Sequence, residues 1–175
     1  MFEKIAKKIG RFLLHRFLAK QIKEELNFNL FLANSAKVLF VLPENDQDFR
    51  QAFDMIRYFQ SKKKNITLFL AGHRFNLLGE LIKLKTILYD AEDITKTNLP
   101  GKSLESKLKN LEFDIVIDLN YSQNVFFTSV SNLPQSKYKI GFKKEFSDKY
   151  YNFQVPFKIN SEISYGNLLN SLKMF

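Results

Sequence analysis

The stretch Phe113-Asp-Ile-Val-Ile-Asp-Leu119 carries the clearest β-strand pattern in this chain. Apolar, β-branched residues at consecutive positions are typical of a strand that is buried on both faces of a parallel sheet. Four other short runs share this character, and they lie at residues 37–42, 66–71, 86–89 and 138–142. Because fully apolar strands avoid sheet edges, we expect residues 38–42 and 115–118 to pair at the centre of a sheet of about five mainly parallel strands.

Segments with helical periodicity separate these strands. Residues 47–60 are the best example, since their apolar side chains recur along one helix face at Phe49, Ala52, Phe53, Ile56 and Phe59. Further helices are predicted at residues 75–81, 103–111 (with Ser103 as the N-cap), 121–130 and 163–175. The alternation of strands and helices predicts right-handed βαβ units, and therefore a single Rossmann-like three-layer α/β sandwich with a mostly parallel sheet over residues 37–175.

The composition excludes several kinds of chemistry. The 175 residues include no Cys and two His, which excludes disulfide scaffolds, thiolate zinc sites and cysteine nucleophiles, and makes histidine-rich metal sites difficult to build. No G-x-G-x-x-G sequence and no P-loop is present. We therefore expect neither a metal nor a bound cofactor.

Most of the net positive charge lies in the first 23 residues. They contain seven Lys and Arg and one Glu, so they contribute +6 of the net charge of +9, and the remainder is nearly neutral. Apolar residues in this segment recur three and four positions apart, at Phe2, Ile5, Ile9, Phe12 and Phe17. The pattern predicts a basic amphipathic helix within residues 1–30.

Two interpretations of this helix remain open. A basic helix with Phe and Ile on one face is typical of an element that lies on an anionic membrane surface, where Lys4, Lys7, Lys8, Arg11 and Arg16 would contact lipid headgroups. Alternatively, its apolar face packs on its own domain or on a partner chain. Charges interrupt the segment too often for a membrane span, and it lacks the apolar core of a secretory signal.

Several short motifs follow one another in a specific order. Phe113–Leu119 is followed by Lys139-Ile-Gly-Phe142, then by Tyr151-Asn152 and Val155-Pro156, and finally by a Leu-rich terminal helix. This series resembles the N-terminal, acceptor-side half of the heptosyltransferase-type glycosyltransferases (glycosyltransferase family 9). In that family a "FDxVIDLQ" strand, an "R-IGF" strand and a "YN…V" segment occur in the same order.

The resemblance implies a function in bacterial cell-envelope glycan or lipopolysaccharide biology. Asp48 falls on the family's catalytic base, although Leu42 replaces the family's Arg and Gln47 its Gly. The family's two-domain GT-B fold binds the nucleotide-sugar in a second half, which this chain does not supply. We therefore expect the isolated chain not to transfer sugar, and expect either a separate donor-binding chain or a homo-oligomer as partner. The implied location is cytoplasmic, peripheral to the inner face of the membrane.

Polar residues follow two of the predicted strands. Glu44, Asp46 and Asp48 come after the first strand, and Asp118, Asn120 and Tyr121 come at the end of the strand at 113–118. The carboxyl ends of parallel strands share one sheet edge, where open α/β sheets bind ligands, so these residues are predicted to line one cleft. A carboxylate there would act as a general base or bind a cation. Alternatively, the carboxylates only cap the following helices.

The sequence also offers a basic stretch after the strand at 138–142. Lys143 and Lys144 are candidates for contact with phosphate or anionic lipid, and the alternative is a solvated loop. A second class of function is a nucleic-acid- or ribosome-associated protein that uses the N-terminal basic helix on phosphates. The nearly neutral remainder of the chain and the apolar face of that helix make a nucleic-acid partner the less favoured prediction.

Overall fold

The computed structural model describes residues 2–18, 31–158 and 160–175. Six strands form one sheet in the order β3-β2-β1-β4-β5-β6, and every neighbouring pair is parallel. The strands are β1 (Lys37–Val41), β2 (Asn65–Ala71), β3 (Lys85–Tyr89), β4 (Glu112–Asp118), β5 (Gln135–Lys143) and β6 (Phe153–Pro156). The predicted α/β class and the predicted central pairing of β1 with β4 are both confirmed, with Val38 opposite Ile115 and Val41 opposite Asp118.

Helices cover both faces of the sheet. They are α1 (Phe2–Leu18), α2 (Phe31–Asn34), α3 (Asp46–Ser61), α4 (Lys102–Lys109), α5 (Val125–Asn132) and α6 (Ser161–Lys173). A longer 3₁₀ segment, Gly72–Lys83, follows β2 and is interrupted at Gly79, where φ is +55°. No helix within the described ranges is both long and apolar enough to cross a bilayer.

The structure corrects three details of the predicted elements. Helix α4 begins at Lys102 with Gly101 as its N-cap, so Ser103 lies inside the helix and does not cap it. Helix α5 begins at Val125 and not at residue 121, because the side chain of Asn124 accepts a hydrogen bond from the Phe126 amide and starts the helix there. The sixth strand, β6, was not predicted, since four residues at a sheet edge give too short a pattern to recognise.

Each face of the sheet has its own apolar core. Alternate residues of β1 separate the two, since Val38 and Phe40 belong to one cluster while Leu39 and Val41 belong to the other. The first cluster packs under α3 and α6, and the second under α4 and α5. All four of these β1 side chains are fully buried, as expected for a strand that is covered on both faces.

Helix α1 lies against the body of the domain on one of its faces. A Cβ atom at Gly10 would lie 2.1 Å from the carbonyl oxygen of Thr97, so the absence of a side chain allows the helix to approach this closely. Leu14 is 5% exposed and packs in a small cluster with Val125 and Tyr151. The face that packs on the domain is therefore that of Gly10 and Leu14, whereas Ile5, Ile9 and Phe12 of the predicted apolar face are exposed.

Candidate functional site

A cleft of about 200 Å³ opens at the carboxyl edge of the sheet, between β1 and β4. The strand order reverses direction here, because the chain proceeds outward from β1 to β3 on one side and from β4 to β6 on the other. Such a switch point leaves a crevice that is not covered by a connecting segment, and open α/β sheets bind ligands there. The cleft is lined by Pro43, Glu44, Asn45, Asp48, Asn120, Tyr121 and Ser122.

Asn45 begins the helix that forms one wall of the cleft. Its side-chain oxygen accepts a hydrogen bond of 2.9 Å from the amide of Asp48, which makes it the N-cap of α3. Its side-chain NH₂ donates to Oδ2 of Asp48 at 2.6 Å. The cap therefore belongs to Asn45 and not to the acidic residues, and the N-x-x-D spacing was the sequence signal for it.

Asp48 is the least satisfied polar residue of the cleft. The residue is 1% exposed, and its Oδ1 atom is buried without a hydrogen-bond partner. Its position in the first turn of α3 is favourable for a carboxylate, because the helix dipole and the free amides attract negative charge. A buried carboxylate oxygen without a donor is costly, so Oδ1 of Asp48 is an unused acceptor beside the cleft.

Asn120 and Tyr121 form the opposite wall. The amide nitrogen and the side-chain nitrogen of Asn120 both donate to Oδ1 of Asp118, at 3.0 and 2.9 Å, and the side chain also reaches the Leu42 carbonyl at 3.3 Å. The Tyr121 ring stacks on Phe157 with 4.0 Å between centroids and 12° between planes. Tyr121 is 39% exposed, so an aromatic surface borders the polar residues.

Asp118 does not line the cleft, contrary to the sequence prediction. It is fully buried below Asn120, and its Oδ2 accepts hydrogen bonds from Lys144 Nζ at 2.8 Å and from the Tyr151 hydroxyl at 2.5 Å. The amides of the next helix do not reach it, so the alternative capping role is also wrong. Asp118 holds one wall of the cleft in place through Asn120.

The paired candidates Lys143 and Lys144 have different environments. Lys143 is exposed, whereas the Lys144 side chain is only 4% exposed and its ammonium group forms the buried ion pair with Asp118. The prediction that Lys144 contacts an external anion is therefore wrong, because its charge is already neutralised inside the domain. Burial, together with the charge of Asp118, raises the pKa of Tyr151, so its hydroxyl keeps the proton that it donates.

Glu44 and Asp46 are both exposed at the start of α3. Asp46 pairs with Arg74, whose Nη1 lies 2.9 Å from Oδ1 of Asp46 and whose guanidinium lies 5.4 Å from the centroid of the Phe49 ring. Across the described part of the chain, no three His, Asp or Glu side chains come together as a metal site would require. The cation-binding alternative for the acidic cluster thus has no geometric support.

Tyr165 was not identified from the sequence, and it lies close to the site. Its hydroxyl donates to the carbonyl of Leu119, at 2.5 Å, and so joins α6 to the segment that carries Asn120. Burial raises the pKa of Tyr165, and the charges of Asp48 and Asp118 raise it further. The phenol therefore remains neutral at physiological pH and serves as a donor.

We expect Asn45→Ala to lower the free energy of unfolding by about 1 kcal/mol, as is typical for the loss of an N-cap. The substitution removes the acceptor for the Asp48 amide and the donor to Asp48 Oδ2. Chemical denaturation is the appropriate measurement. Asn45→Ser restores a cap acceptor and should recover more than half of the loss; equal losses in both variants would contradict the capping role.

Comparison of the chain with protein-family models, with curated proteins and with solved structures returns no match. The resemblance to the heptosyltransferase-type glycosyltransferases therefore depends on the ordered motifs between residues 113 and 156 and on the position of Asp48.

Proposed function

We propose that this domain is the acceptor-side half of a heptosyltransferase-like glycosyltransferase, and that its cleft binds a sugar hydroxyl of a cell-envelope glycan. The observation that carries the proposal is the unpartnered Oδ1 atom of buried Asp48, a residue that lines a small polar cleft at the switch point of the sheet. Polar groups from two loops and the aromatic surface of Tyr121 suit a polyhydroxylated ligand, which presents both hydroxyl groups and apolar C–H faces.

The chemistry of this site would be general base catalysis. Oδ1 of Asp48 would accept the proton of the acceptor hydroxyl while that oxygen attacks the anomeric carbon of a donor sugar. The bond between the anomeric carbon and the nucleotide's phosphate oxygen breaks in the same step, and the nucleotide departs with the bonding electrons. Asn45 donates a hydrogen bond to Oδ2 of Asp48, so Oδ1 is the oxygen that is left to act as the base.

The residues of this cleft supply no binding site for the nucleotide-sugar donor, so the reaction requires a donor site elsewhere. We propose that a second Rossmann-like half, in another domain or another chain, binds that donor and completes the catalyst at the open side of the cleft. Without that half, the domain would still recognise the acceptor glycan and would act as a binding module. The location that we propose is peripheral to the inner face of the membrane.

The proposal predicts binding of a soluble acceptor mimic at the cleft. We expect deacylated lipopolysaccharide oligosaccharide to shift the amide resonances of Asn120, Tyr121 and Ser122 in a ¹⁵N-NMR titration. Asp48→Asn should weaken binding at least roughly tenfold, because it replaces a charged acceptor by a neutral amide. The same substitution should change the free energy of unfolding by no more than about 1 kcal/mol, because the removal of an incompletely paired buried charge and the loss of its favourable interaction with the helix N-terminus oppose each other.

Asp54→Asn is the matched control, since Asp54 lies on the same helix with an exposed side chain paired to Arg57. It should change neither oligosaccharide binding nor stability by a measurable amount. Undiminished binding by Asp48→Asn, or resonance shifts confined to other surfaces, would contradict the proposal. Salt-sensitive binding of a DNA oligonucleotide at α1 would instead favour the nucleic-acid alternative.

A further inference from the structure

Helix α1 has two faces with opposite environments. Gly10 and Leu14 pack against the domain, whereas Ile5, Ile9 and Phe12 lie on the far side of the helix. At 3.6 residues per turn these three side chains fall within one narrow stripe, turned away from the packed face. We call Ile5, Ile9 and Phe12 the outer stripe.

All three side chains of the outer stripe are large, apolar and exposed. Ile5 is 49% exposed, Ile9 is 47% exposed and Phe12 is 63% exposed. The packed face already accounts for the attachment of α1 to the domain, so folding does not require these three residues. Apolar residues aligned in this way on a solvent-exposed face are typical of an interaction surface.

The charges around the outer stripe determine the kind of partner. Lys8, Arg11 and Arg16 are exposed on α1, and the sequence from residue 5 to residue 16 contains no acidic residue. An apolar stripe whose charged neighbours on the helix from residue 5 to residue 16 are all positive matches a surface that combines an apolar interior with anionic headgroups. The side chains of Phe2, Lys4, Lys7 and Phe17 lie outside the described part of the structure.

We propose that the outer stripe inserts into an anionic phospholipid bilayer, with Lys8, Arg11 and Arg16 on the lipid headgroups. Nucleic acid matches the positive charge but offers no apolar layer for two Ile side chains, and an acidic protein groove would need a matching stripe of its own. A bilayer supplies both components along the full length of the helix. This proposal is independent of what the cleft binds.

The attachment of α1 also orients the domain on the membrane. Leu14 packs on Val125, the first residue of α5, which follows β4 and therefore begins at the carboxyl edge of the sheet. The cleft of Asp48 opens at the same edge. Insertion of the outer stripe would thus hold the cleft's edge of the sheet close to the bilayer.

Vesicle co-sedimentation tests the proposal on the full chain. We expect binding to phosphatidylcholine vesicles that contain phosphatidylglycerol, and weak binding to pure phosphatidylcholine. Ile9→Ser with Phe12→Ser should lower the partition coefficient at least roughly tenfold, because two large apolar side chains no longer enter the lipid. Replacing Lys8, Arg11 and Arg16 by Gln should remove the preference for anionic vesicles, and added salt should weaken wild-type binding without abolishing it.

Two further variants separate lipid binding from folding. Leu77→Ser with Ile82→Ser removes two apolar side chains of similar exposure, 56% and 41%, on the 3₁₀ segment, and it should bind vesicles as the wild type does. Leu14→Ser should lower the thermal midpoint, whereas Ile9→Ser with Phe12→Ser should not. The proposal fails if the outer-stripe variant still binds vesicles, if it unfolds as Leu14→Ser does, or if it only converts a dimer of this chain to a monomer.

Discussion

Replacement of Asp118 by Asn is expected to lower the free energy of unfolding by about 3–5 kcal/mol, the typical cost of removing one member of a buried ion pair. The Lys144 ammonium would remain inside the domain without a counter-charge, since its side chain is only 4% exposed. The Tyr151 hydroxyl would lose a charged acceptor at the same time. Chemical denaturation at neutral pH measures the loss.

A second substitution shows whether the unpaired charge is the cause. Asp118→Asn with Lys144→Met removes both charges, so we expect it to recover at least half of the loss. Glu105→Gln is the matched surface control, because Glu105 pairs with Lys109 at 2.6 Å while both side chains stay exposed. Its effect should stay within about 0.5 kcal/mol. If the double variant is as unstable as Asp118→Asn alone, the charge explanation is wrong.

The Asp118 variant should also affect the cleft. Oδ1 of Asp118 accepts both hydrogen bonds from Asn120, so the wall that carries Asn120 and Tyr121 depends on it. In the oligosaccharide titration we expect weaker binding by Asp118→Asn although Asp48 is unchanged. Asp118 is in this sense a positioning residue.

A buried lysine makes the stability of the protein increase with pH in the mildly alkaline range. Lys139 lies on β5 and is 4% exposed, and burial lowers its pKa to about 8 from the ordinary value of 10.5. Between these two values the unfolded chain holds a proton that the folded chain has released, so the free energy of unfolding rises with pH. The expected gain from pH 7.5 to pH 9.5 is about 2 kcal/mol.

The measurement compares the wild type with Lys139→Met across this range. The free energy of unfolding of Lys139→Met should exceed that of the wild type by the largest margin at pH 7.5, where the wild type buries a charge. This margin should shrink by about 2 kcal/mol by pH 9.5. Above about pH 10 the buried Tyr151 and Tyr165 oppose the trend, because their raised pKa values favour ionisation of the unfolded chain. Lys143→Met, on the same strand with an exposed side chain, should show no such change. A pH-independent difference for Lys139→Met would contradict the assignment.

The amino-acid sequence alone determined the layers of the fold and the location of the cleft. Consecutive apolar residues in β1 and β4 require burial on both faces, so a parallel sheet with these strands at its centre follows from local pattern. Parallel strands place their carboxyl ends at one edge, and this brings residues 43–48 near residues 120–122. The positions of Asp48, Asn120 and Tyr121 in the cleft followed from the same argument.

Only the tertiary structure decided which polar groups are paired. Asp118 forms hydrogen bonds with Lys144 and Tyr151, which lie 26 and 33 residues away in the sequence. The sequence around Lys144 does not indicate whether its side chain is solvated or buried. Likewise, periodicity predicted an amphipathic α1, but only packing at Gly10 and Leu14 showed which face meets the domain and which stays exposed. The physical reason is that periodicity reports backbone state and average burial, both local properties. The partner of a charged or polar group depends on which distant segments the packed layers bring into contact.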